Sequence, residues 1–391
     1  MGRKAPSWVG MSSPMVYVRA AALLWALVVV PLAIVGLFCM VTWRGAGLMG
    51  TILAMGVGPL LWCIGDERES KRQKTWGSAF VWLGLIAFCG LAQTELDSES
   101  LSGSRIDSRF SKGEWRFDRF SIGNLLPEID QIHLGYLGAH LLDPLLDKQQ
   151  LRDLSSMTDR IYEELGQDED FCRVGSALPW MWREITFSEF RSGHYFHLLP
   201  EGVDRTKPIP TLVFLHGSGG NFLAYMWLLS KVSERTGFAV IAPTFGMGNW
   251  EKEGAYGAVK AAIEDAGRFQ AVDPNGIHLM GLSNGGKGVC LAESTQGPKF
   301  QSVIFLSAVW NDSVSPKQFA ERLKGRSALV ISGGNDNRVP WSYVSGYAEA
   351  LRIGGMDVTS REFPEDDHFV FFRRRQEVEE ELVHWLKSRL N

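Results

Sequence analysis

The stretch "HLMGLSNGGKG" (residues 278–288) places four glycines around one serine, Ser283, between an apolar segment and a segment with helical spacing. Its centre fits the pattern G-x-S-x-G, in which a serine occupies a strained turn from a strand to a helix and its hydroxyl stands clear of the sheet. Gly281 and Gly285 remove side chains where strand and helix would crowd this turn. Gly286 and Gly288 then allow the following helix to pack close to the sheet.

Strands and helices alternate on both sides of this turn, from about residue 190 to the end of the chain. The predicted strands are 194–199, 211–216, 238–243, 277–281, 302–307, 327–332 and 357–363, and the predicted helices are 223–235, 255–270, 284–295, 316–324, 341–353 and 376–389. Such alternation predicts an α/β fold with a mostly parallel sheet and helices on both faces. Ligands of such a sheet bind at the carboxyl ends of its strands, and Ser283 lies at one of them.

A nucleophilic serine needs a base within hydrogen-bond reach, and the base needs a partner that fixes its tautomer. His368 follows the last predicted strand and is the candidate base, because His384 lies in a helical pattern as a surface or packing residue. Asp336, just past the strand 327–332, is the first candidate for the acid. Asp312, after the preceding strand, is the alternative acid.

A second glycine cluster, "FLHGSGGN" (214–221), follows another apolar strand. A negatively charged tetrahedral intermediate needs preorganised hydrogen-bond donors, and a glycine-rich turn can present backbone N–H groups. The N–H groups of Ser218 and Asn284 are the predicted pair, with Gly219 close behind. A tight structural turn is the alternative for this cluster when it is taken alone.

Four segments together resemble the α/β-hydrolase superfamily: "LVFLHGSGGN" (212–221), "GLSNGG" (281–286), "GGNDNRVP" (333–340) and "DDHF" (366–369). They are most similar to the feruloyl-esterase-like and polyhydroxybutyrate-depolymerase-like esterases, over residues 190–391. The resemblance implies a serine mechanism on a carboxylic ester, with Ser283 as nucleophile, His368 as base and Asp336 as acid, and without a metal or organic cofactor. A peptidase of the prolyl-oligopeptidase type, an acyltransferase and a non-catalytic binding module with the same fold are the alternatives.

Three long apolar runs occupy the first hundred residues: 20–43, 45–65 and 75–94, with 24, 21 and 20 residues and no charge. About 20 apolar residues in a helix cross the hydrocarbon core of a bilayer, so residues 1–94 are predicted to form a membrane anchor of three transmembrane helices. Seven lysines and arginines lie on the side of the N-terminus and four on the other side. This excess predicts a cytoplasmic N-terminus and an extracytoplasmic C-terminal part.

The region 95–190 is predicted as a linker followed by a helical juxtamembrane segment, ahead of a catalytic domain at 191–391. Residues 95–113 have the serine-rich, charged composition of a linker, and 124–166 carry a helical apolar stripe broken at Asp143-Pro144. We expect this stripe to dock on the catalytic domain. The membrane surface is an alternative, which the acidic residues of the segment disfavour, and metal ligation by His133, His140 and Asp143 is a weaker one.

The net charge of −4 gives no basic field for a nucleic-acid partner, so the expected partners are an ester substrate and the lipid bilayer. Cys172 and Cys290 either form one disulfide or are free thiols. Asp366 and Asp367 are predicted to be solvated. Large aromatic side chains near the strand ends, Trp250, Trp310 and Trp341, either line an acyl pocket or pack in the core.

Overall fold

The computed structural model describes residues 13–67, 70–93, 104–112, 125–187, 193–294 and 299–390. These residues divide into two compact units. One unit contains residues 13–93 and 125–142, and the other contains residues 104–112 and 143–390. The polypeptide therefore passes between the units three times, and the units differ from the predicted boundaries at 94 and 190.

The first unit is helical, with α1 (Ser13–Cys39), α2 (Trp43–Glu67), α3 (Lys71–Gln93) and α4 (Glu128–Leu142). Three of its segments are long and apolar enough to cross a membrane: Val16–Cys39, Trp43–Gly65 and Lys71–Leu91. They coincide with the three apolar runs of the sequence. Thr94, the last residue of the third predicted span, lies outside the described residues.

Helix α4 is anchored within this first unit through a buried carboxylate. Oδ1 of Asp130 accepts hydrogen bonds from the backbone N–H groups of Val41 at 2.7 Å and Thr42 at 3.1 Å. Those N–H groups precede α2, so Asp130 acts as a cap from a distant part of the chain, where a negative charge is favoured by the helix dipole. The expectation that all of 124–166 docks on the sheet unit is therefore wrong for α4.

The second unit is built on one eight-stranded sheet. Its strands are β1 (Ile106–Phe110), β2 (His194–Leu198), β3 (Ile209–Leu215), β4 (Ala239–Pro243), β5 (Val272–Leu282), β6 (Ser302–Leu306), β7 (Ser327–Gly333) and β8 (Asp357–Phe363). Their order across the sheet is β1-β2-β4-β3-β5-β6-β7-β8. The β1–β2 and β2–β4 pairs are antiparallel and all other pairs are parallel.

All seven predicted strands are present, and β1 is the strand that the sequence did not predict. Its sequence, "IDSRF", lies within the stretch 95–113, whose polar composition predicted a linker, and that prediction is wrong at 106–110. The strand is stable because it pairs with β2 over five positions, from Ile106 opposite Leu198 to Phe110 opposite His194. Residues 95–103 and 113 of the predicted linker lie outside the described residues.

Helices cover both faces of the sheet. They are α5 (Lys148–Leu165), α6 (Leu178–Phe187), α7 (Leu223–Thr236), α8 (Ala255–Ala266), α9 (Gly285–Ser294), α10 (Pro316–Arg322), α11 (Trp341–Ile353), α12 (Val370–Arg373) and α13 (Arg375–Lys387). One apolar core joins the sheet to α5, α7, α12 and α13, and the other joins it to α8, α9, α10 and α11. The unit has the predicted α/β-hydrolase fold: a mostly parallel sheet between two helical layers, with its serine turn at the end of β5.

Several side chains with uncertain predictions are part of these cores. Trp250 and Trp310 are buried in the core beneath α8 to α11, so core packing is the correct interpretation for both, and Trp341 packs half-buried against the same core. Cys172 and Cys290 are both free thiols, Cys172 exposed and Cys290 buried, and no disulfide joins them. Among the described side chains no cluster could hold a metal ion, and the side chain of His140 is not described.

Four histidines are buried in the sheet unit, each with a hydrogen-bond partner: His194, His197, His216 and His278. Burial disfavours the charged imidazolium, which lowers the pKa of His194 to about 3 and those of the other three to about 4. All four are therefore neutral in the folded protein at neutral pH.

We expect the free energy of unfolding to fall as the pH is lowered from about 6.5 towards 4. In this window the four histidines bind protons in the unfolded chain, where their pKa is the ordinary 6.5, but not in the folded chain. The free energy of unfolding is therefore fully retained only above about pH 6.5. Thermal unfolding of the full chain in detergent, followed by tryptophan fluorescence, measures this. His278→Asn should weaken the pH dependence of the unfolding temperature, whereas His384→Asn, at an exposed histidine, should not. An unfolding temperature that stays constant from pH 7 to 4.5 would contradict the expectation.

Candidate active site

Ser283 occupies the turn between β5 and α9 in a left-handed conformation, with φ of 50°. Non-glycine residues rarely adopt this region, and such strain persists only where the surrounding structure holds it. The turn lifts the side chain away from the carboxyl end of β5, and Ser283 is partly exposed. This is the strained strand-to-helix turn that the G-x-S-x-G pattern predicts.

The glycines of the turn are required by close backbone contacts. A Cβ atom on Gly281 would lie 2.5 Å from the carbonyl carbon of Gly285, and one on Gly285 would lie 2.0 Å from the carbonyl oxygen of Leu215. A Cβ atom on Gly286 would lie 2.6 Å from the carbonyl oxygen of Val309, and one on Gly288 would lie 2.7 Å from Leu215 Cδ1. The predicted roles of all four glycines are confirmed.

The end of β6 holds the backbone of Ser283 from the other side. The N–H of Ser283 donates to the carbonyl of Leu306 at 3.0 Å, and the carbonyl of Ser283 accepts from the N–H of Val309 at 2.9 Å. Between these two partners lies Ser307, which is itself left-handed, with φ of 43°. Ser283 is therefore bonded to residues on both sides of a second strained residue, and no sequence signal marks Ser307.

His368 lies between Ser283 and Asp336. Its Nε2 is 3.0 Å from Ser283 Oγ, and its Nδ1 is 2.7 Å from Asp336 Oδ2. Asp336 is buried, and its other oxygen accepts from the N–H groups of Arg338 at 2.9 Å and Val339 at 2.8 Å. A carboxylate on Nδ1 leaves Nε2 free to accept the serine proton, so the three side chains have the geometry of a serine–histidine–aspartate triad.

The alternative acid is not part of this chain of hydrogen bonds. Asp312 is exposed in the loop after β6, whereas Nδ1 of His368 bonds to Asp336. Asp366 and Asp367 are both buried, which corrects the prediction that they are solvated. Asp366 is 2.8 Å from Nε of Arg374, and Asp367 is 3.2 Å from Nη2 of Arg373, because burial of a carboxylate requires such partners.

The loops that carry Asp336 and His368 are held together through backbone contacts. The N–H of Asn335 donates to the carbonyl of Asp366 at 2.9 Å, and a Cβ on Gly333 would lie only 2.2 Å from that same oxygen. Glycine at 333 therefore permits the approach that brings acid and histidine within hydrogen-bond distance.

A segment from 143 to 153 packs against both of these loops. Asp143 lies 2.6 Å from Arg338 on the acid loop, and Gln150 donates to Asp367 on the histidine loop at 3.2 Å. Burial raises the pKa of Asp143, but the hydrogen bonds from Arg338 and from the N–H of Leu145, together with the charge of Arg338, outweigh burial and hold that pKa below its usual value. The expected docking of the region 124–166 on the sheet unit is thus confirmed for its second half, which includes α5.

The candidate oxyanion hole lies where the loop after β3 meets the serine turn. Nδ2 of Asn284 donates to Oγ of Ser218 at 2.8 Å, which links the two residues whose N–H groups are the predicted donors. Within the described parts of the chain, neither N–H makes a hydrogen bond. Gly219 differs, because its N–H already donates to the carbonyl of Met247 at 3.3 Å.

His216 supports this loop from below. Its Nδ1 lies 2.8 Å from the carbonyl of Gly217, and its Nε2 accepts from the N–H of Phe245 at 3.2 Å. A neutral imidazole with Nδ1 protonated satisfies both contacts, in agreement with its lowered pKa of about 4, which burial causes. The indole of Trp250 also donates to the carbonyl of His216 at 2.8 Å.

No protein-family model matches the sequence, and no curated protein is similar to it. Solved structures are similar to it in fold. A thermostable esterase from Pseudomonas putida has 19% identity and a TM-score of 0.44, over 51% of this chain and 79% of its own. Est1E from Butyrivibrio proteoclasticus has 15% identity and a TM-score of 0.41, over 50% of this chain and 93% of its own.

A third similar structure is the acylaminoacyl peptidase of Pyrococcus horikoshii, with 18% identity and a TM-score of 0.41, over 50% of this chain and 39% of its own. All three similarities cover about half of this chain at low identity, and they are not evidence for a particular activity. The strand order and the turn at Ser283 support the fold independently of them.

We expect Gly285→Ala to lower the stability of the sheet unit by about 1–3 kcal/mol or more, because its Cβ would overlap the carbonyl oxygen of Leu215. Gly257 in α8 is a matched control, since nothing lies within 4 Å of a Cβ there. Gly257→Ala should leave stability unchanged or raise it by up to about 1 kcal/mol. Thermal unfolding of both variants measures the difference, and equal effects would contradict the steric argument.

Proposed function

We propose that this chain is a membrane-anchored serine hydrolase that cleaves a carboxylic ester. The observation that carries the proposal is the continuous hydrogen-bonded arrangement of Ser283, His368 and Asp336 at a strained serine turn. The strain matters because a serine that merely contacts a histidine in a core needs no left-handed backbone. The placement within the feruloyl-esterase-like and polyhydroxybutyrate-depolymerase-like branch belongs to the same proposal.

In the first half-reaction, Nε2 of His368 takes the proton of Ser283 as its Oγ attacks the ester carbonyl carbon. The carbonyl oxygen becomes negatively charged, and the N–H groups of Ser218 and Asn284 would stabilise it. As the tetrahedral intermediate collapses, His368 delivers the proton to the departing alkoxide. The products of this step are an alcohol and an acyl-enzyme on Ser283.

In the second half-reaction, water takes the place of the alcohol. His368 removes one of its protons as the water oxygen attacks the acyl carbon, and then returns that proton to Oγ of Ser283. The carboxylic acid is released and the free serine is restored. Asp336 remains ionised throughout and holds the imidazole in the tautomer that both steps need.

A fluorophosphonate probe tests the proposal, because it forms a stable covalent bond only with an activated serine. The wild-type chain should be labelled and should hydrolyse p-nitrophenyl esters, whereas Ser283→Ala should do neither. Labelling that survives in Ser283→Ala would remove Ser283 from its role. A wild type that is neither labelled nor active would favour the alternative of a non-catalytic binding module.

The acid is tested in the same assay by two amide substitutions of similar size. Asp336→Asn should lower kcat by about 10⁴-fold, because an amide would favour the wrong tautomer of His368. Asp312→Asn should leave kcat nearly unchanged, because Asp312 is exposed away from His368. The reverse result would contradict the assignment of the acid.

The proposed localisation places the anchor, residues 1–94, in the bilayer and the catalytic unit outside the cytoplasm. It is supported by the three apolar helices and by the excess of basic residues on the side of the N-terminus. A cysteine introduced near Ser100 should react with a membrane-impermeant maleimide in intact cells, in a background in which the native cysteines are replaced by serine. Reaction only after lysis would place the catalytic unit in the cytoplasm.

A further inference from the structure

Glu184 is a buried carboxylate that the proposed mechanism does not use. It lies on α6, its exposed fraction is 2%, and its Oε2 accepts a hydrogen bond from the backbone N–H of Gly246 at 2.5 Å. The carboxylate of Glu184 therefore fixes the backbone at Gly246.

Gly246 belongs to the loop 245–248, which follows β4 and contains two left-handed glycines. Gly246 has φ of 48° and Gly248 has φ of 84°. A Cβ on Gly248 would lie 2.5 Å from the carbonyl oxygen of Gly217 and 3.3 Å from the nitrogen of Ser218. This loop thus lies directly against the backbone that carries the proposed oxyanion donor of Ser218.

Hydrogen bonds join the two loops on either side of Gly246. The N–H of Phe245 donates to Nε2 of His216 at 3.2 Å, and the carbonyl of Met247 accepts from the N–H of Gly219 at 3.3 Å. Gly246, which Glu184 holds, therefore lies between Phe245 and Met247, and both of these neighbours form hydrogen bonds to the segment 216–219. A shift at Gly246 would be passed to both ends of that segment.

Helix α6 also contacts the oxyanion loop itself. Gly220 is left-handed, with φ of 125°, and a Cβ there would lie 2.7 Å from Sδ of Met181 and 3.1 Å from Cδ2 of Leu178. Met181 and Glu184 are three residues apart and so lie on one side of the helix. One helix face thus packs against 216–221 through Met181 and holds 245–248 through Glu184.

We propose that Glu184 is a positioning residue for the oxyanion hole, acting through the loop 245–248 on the N–H of Ser218; this inference rests on the proposed function. Preorganised donors are effective because they need no rearrangement when the negative charge develops, and loss of one donor typically costs about 10²–10³ in kcat. Loosening a donor should cost less than removing it. We expect Glu184→Ala to lower kcat by about 10- to 100-fold, and Glu184→Gln, which keeps an acceptor oxygen, to retain most of it.

The experiment uses the full chain in detergent, with the active sites counted by fluorophosphonate titration so that kcat refers to folded enzyme. A trifluoromethyl ketone is the diagnostic ligand, because its adduct with serine carries an oxyanion. In Glu184→Ala, its inhibition constant should rise by the same factor by which kcat falls, while KM for a p-nitrophenyl ester should stay nearly constant. Glu349→Ala, at an exposed glutamate of α11, is the control and should change neither value.

Two results would overturn the proposal. One is a Glu184→Ala variant with fewer titratable sites but an unchanged kcat per site, since that outcome shows a role in folding alone. The other is unchanged amide hydrogen exchange in a peptide spanning 216–221, which we expect to exchange faster in Glu184→Ala. An inactive, unlabelled wild type would instead refute the proposed function, and the exchange measurement would still decide whether Glu184 holds this loop.

Discussion

The left-handed backbone of Ser283 is the constraint on which the site depends. A strained residue is maintained only by contacts that would be lost if it relaxed, and here those contacts come from three strands. The carbonyl of Leu215 in β3 presses against Gly285, Leu306 at the end of β6 accepts from the serine N–H, and β5 supplies the turn itself. The sheet order places β5 between β3 and β6, so the strain is carried by the centre of the sheet.

The other two members of the proposed triad are placed by a different means. Asp336 and His368 sit on loops after β7 and β8, at the edge of the sheet, where fewer strands constrain the backbone. Their loops are instead fixed to each other at Gly333 and Asp366, and ion pairs hold the histidine loop to its surroundings. The proposed nucleophile is thus positioned by sheet packing, and the proposed acid and base are positioned by polar contacts between loops.

Sequence reasoning predicted those parts of the structure whose signal is local. Seven strands have apolar runs bounded by turn residues, and Ser283, Asp336 and His368 each follow such a run, so their convergence could be predicted from the sheet alone. What it missed depends on partners far along the chain. The strand β1 has a linker-like composition and is stable only because β2 lies beside it, and Asp366 and Asp367 are polar in sequence but buried beside arginines.

Glu184 and Asp130 show the same limit in single residues. Each is a carboxylate in an ordinary helical pattern, and each is buried because it accepts backbone N–H groups from a segment 62 or about 90 residues away. No spacing rule within a helix connects such residues to their partners. Only the three-dimensional arrangement distinguishes them from the solvated carboxylates that surround them in the sequence.

The three passages of the chain between its two units have a consequence for limited proteolysis. A cut in the first passage leaves α4, which belongs to the helical unit, attached to the fragment that carries the sheet. A cut in the last passage leaves β1 in the sheet but covalently joined to the helical unit. A cut in the middle passage leaves β1 joined to the helical unit and α4 joined to the sheet unit. A single protease cleavage therefore does not separate the two units: a strand must also leave the sheet, or a helix must leave the helical unit.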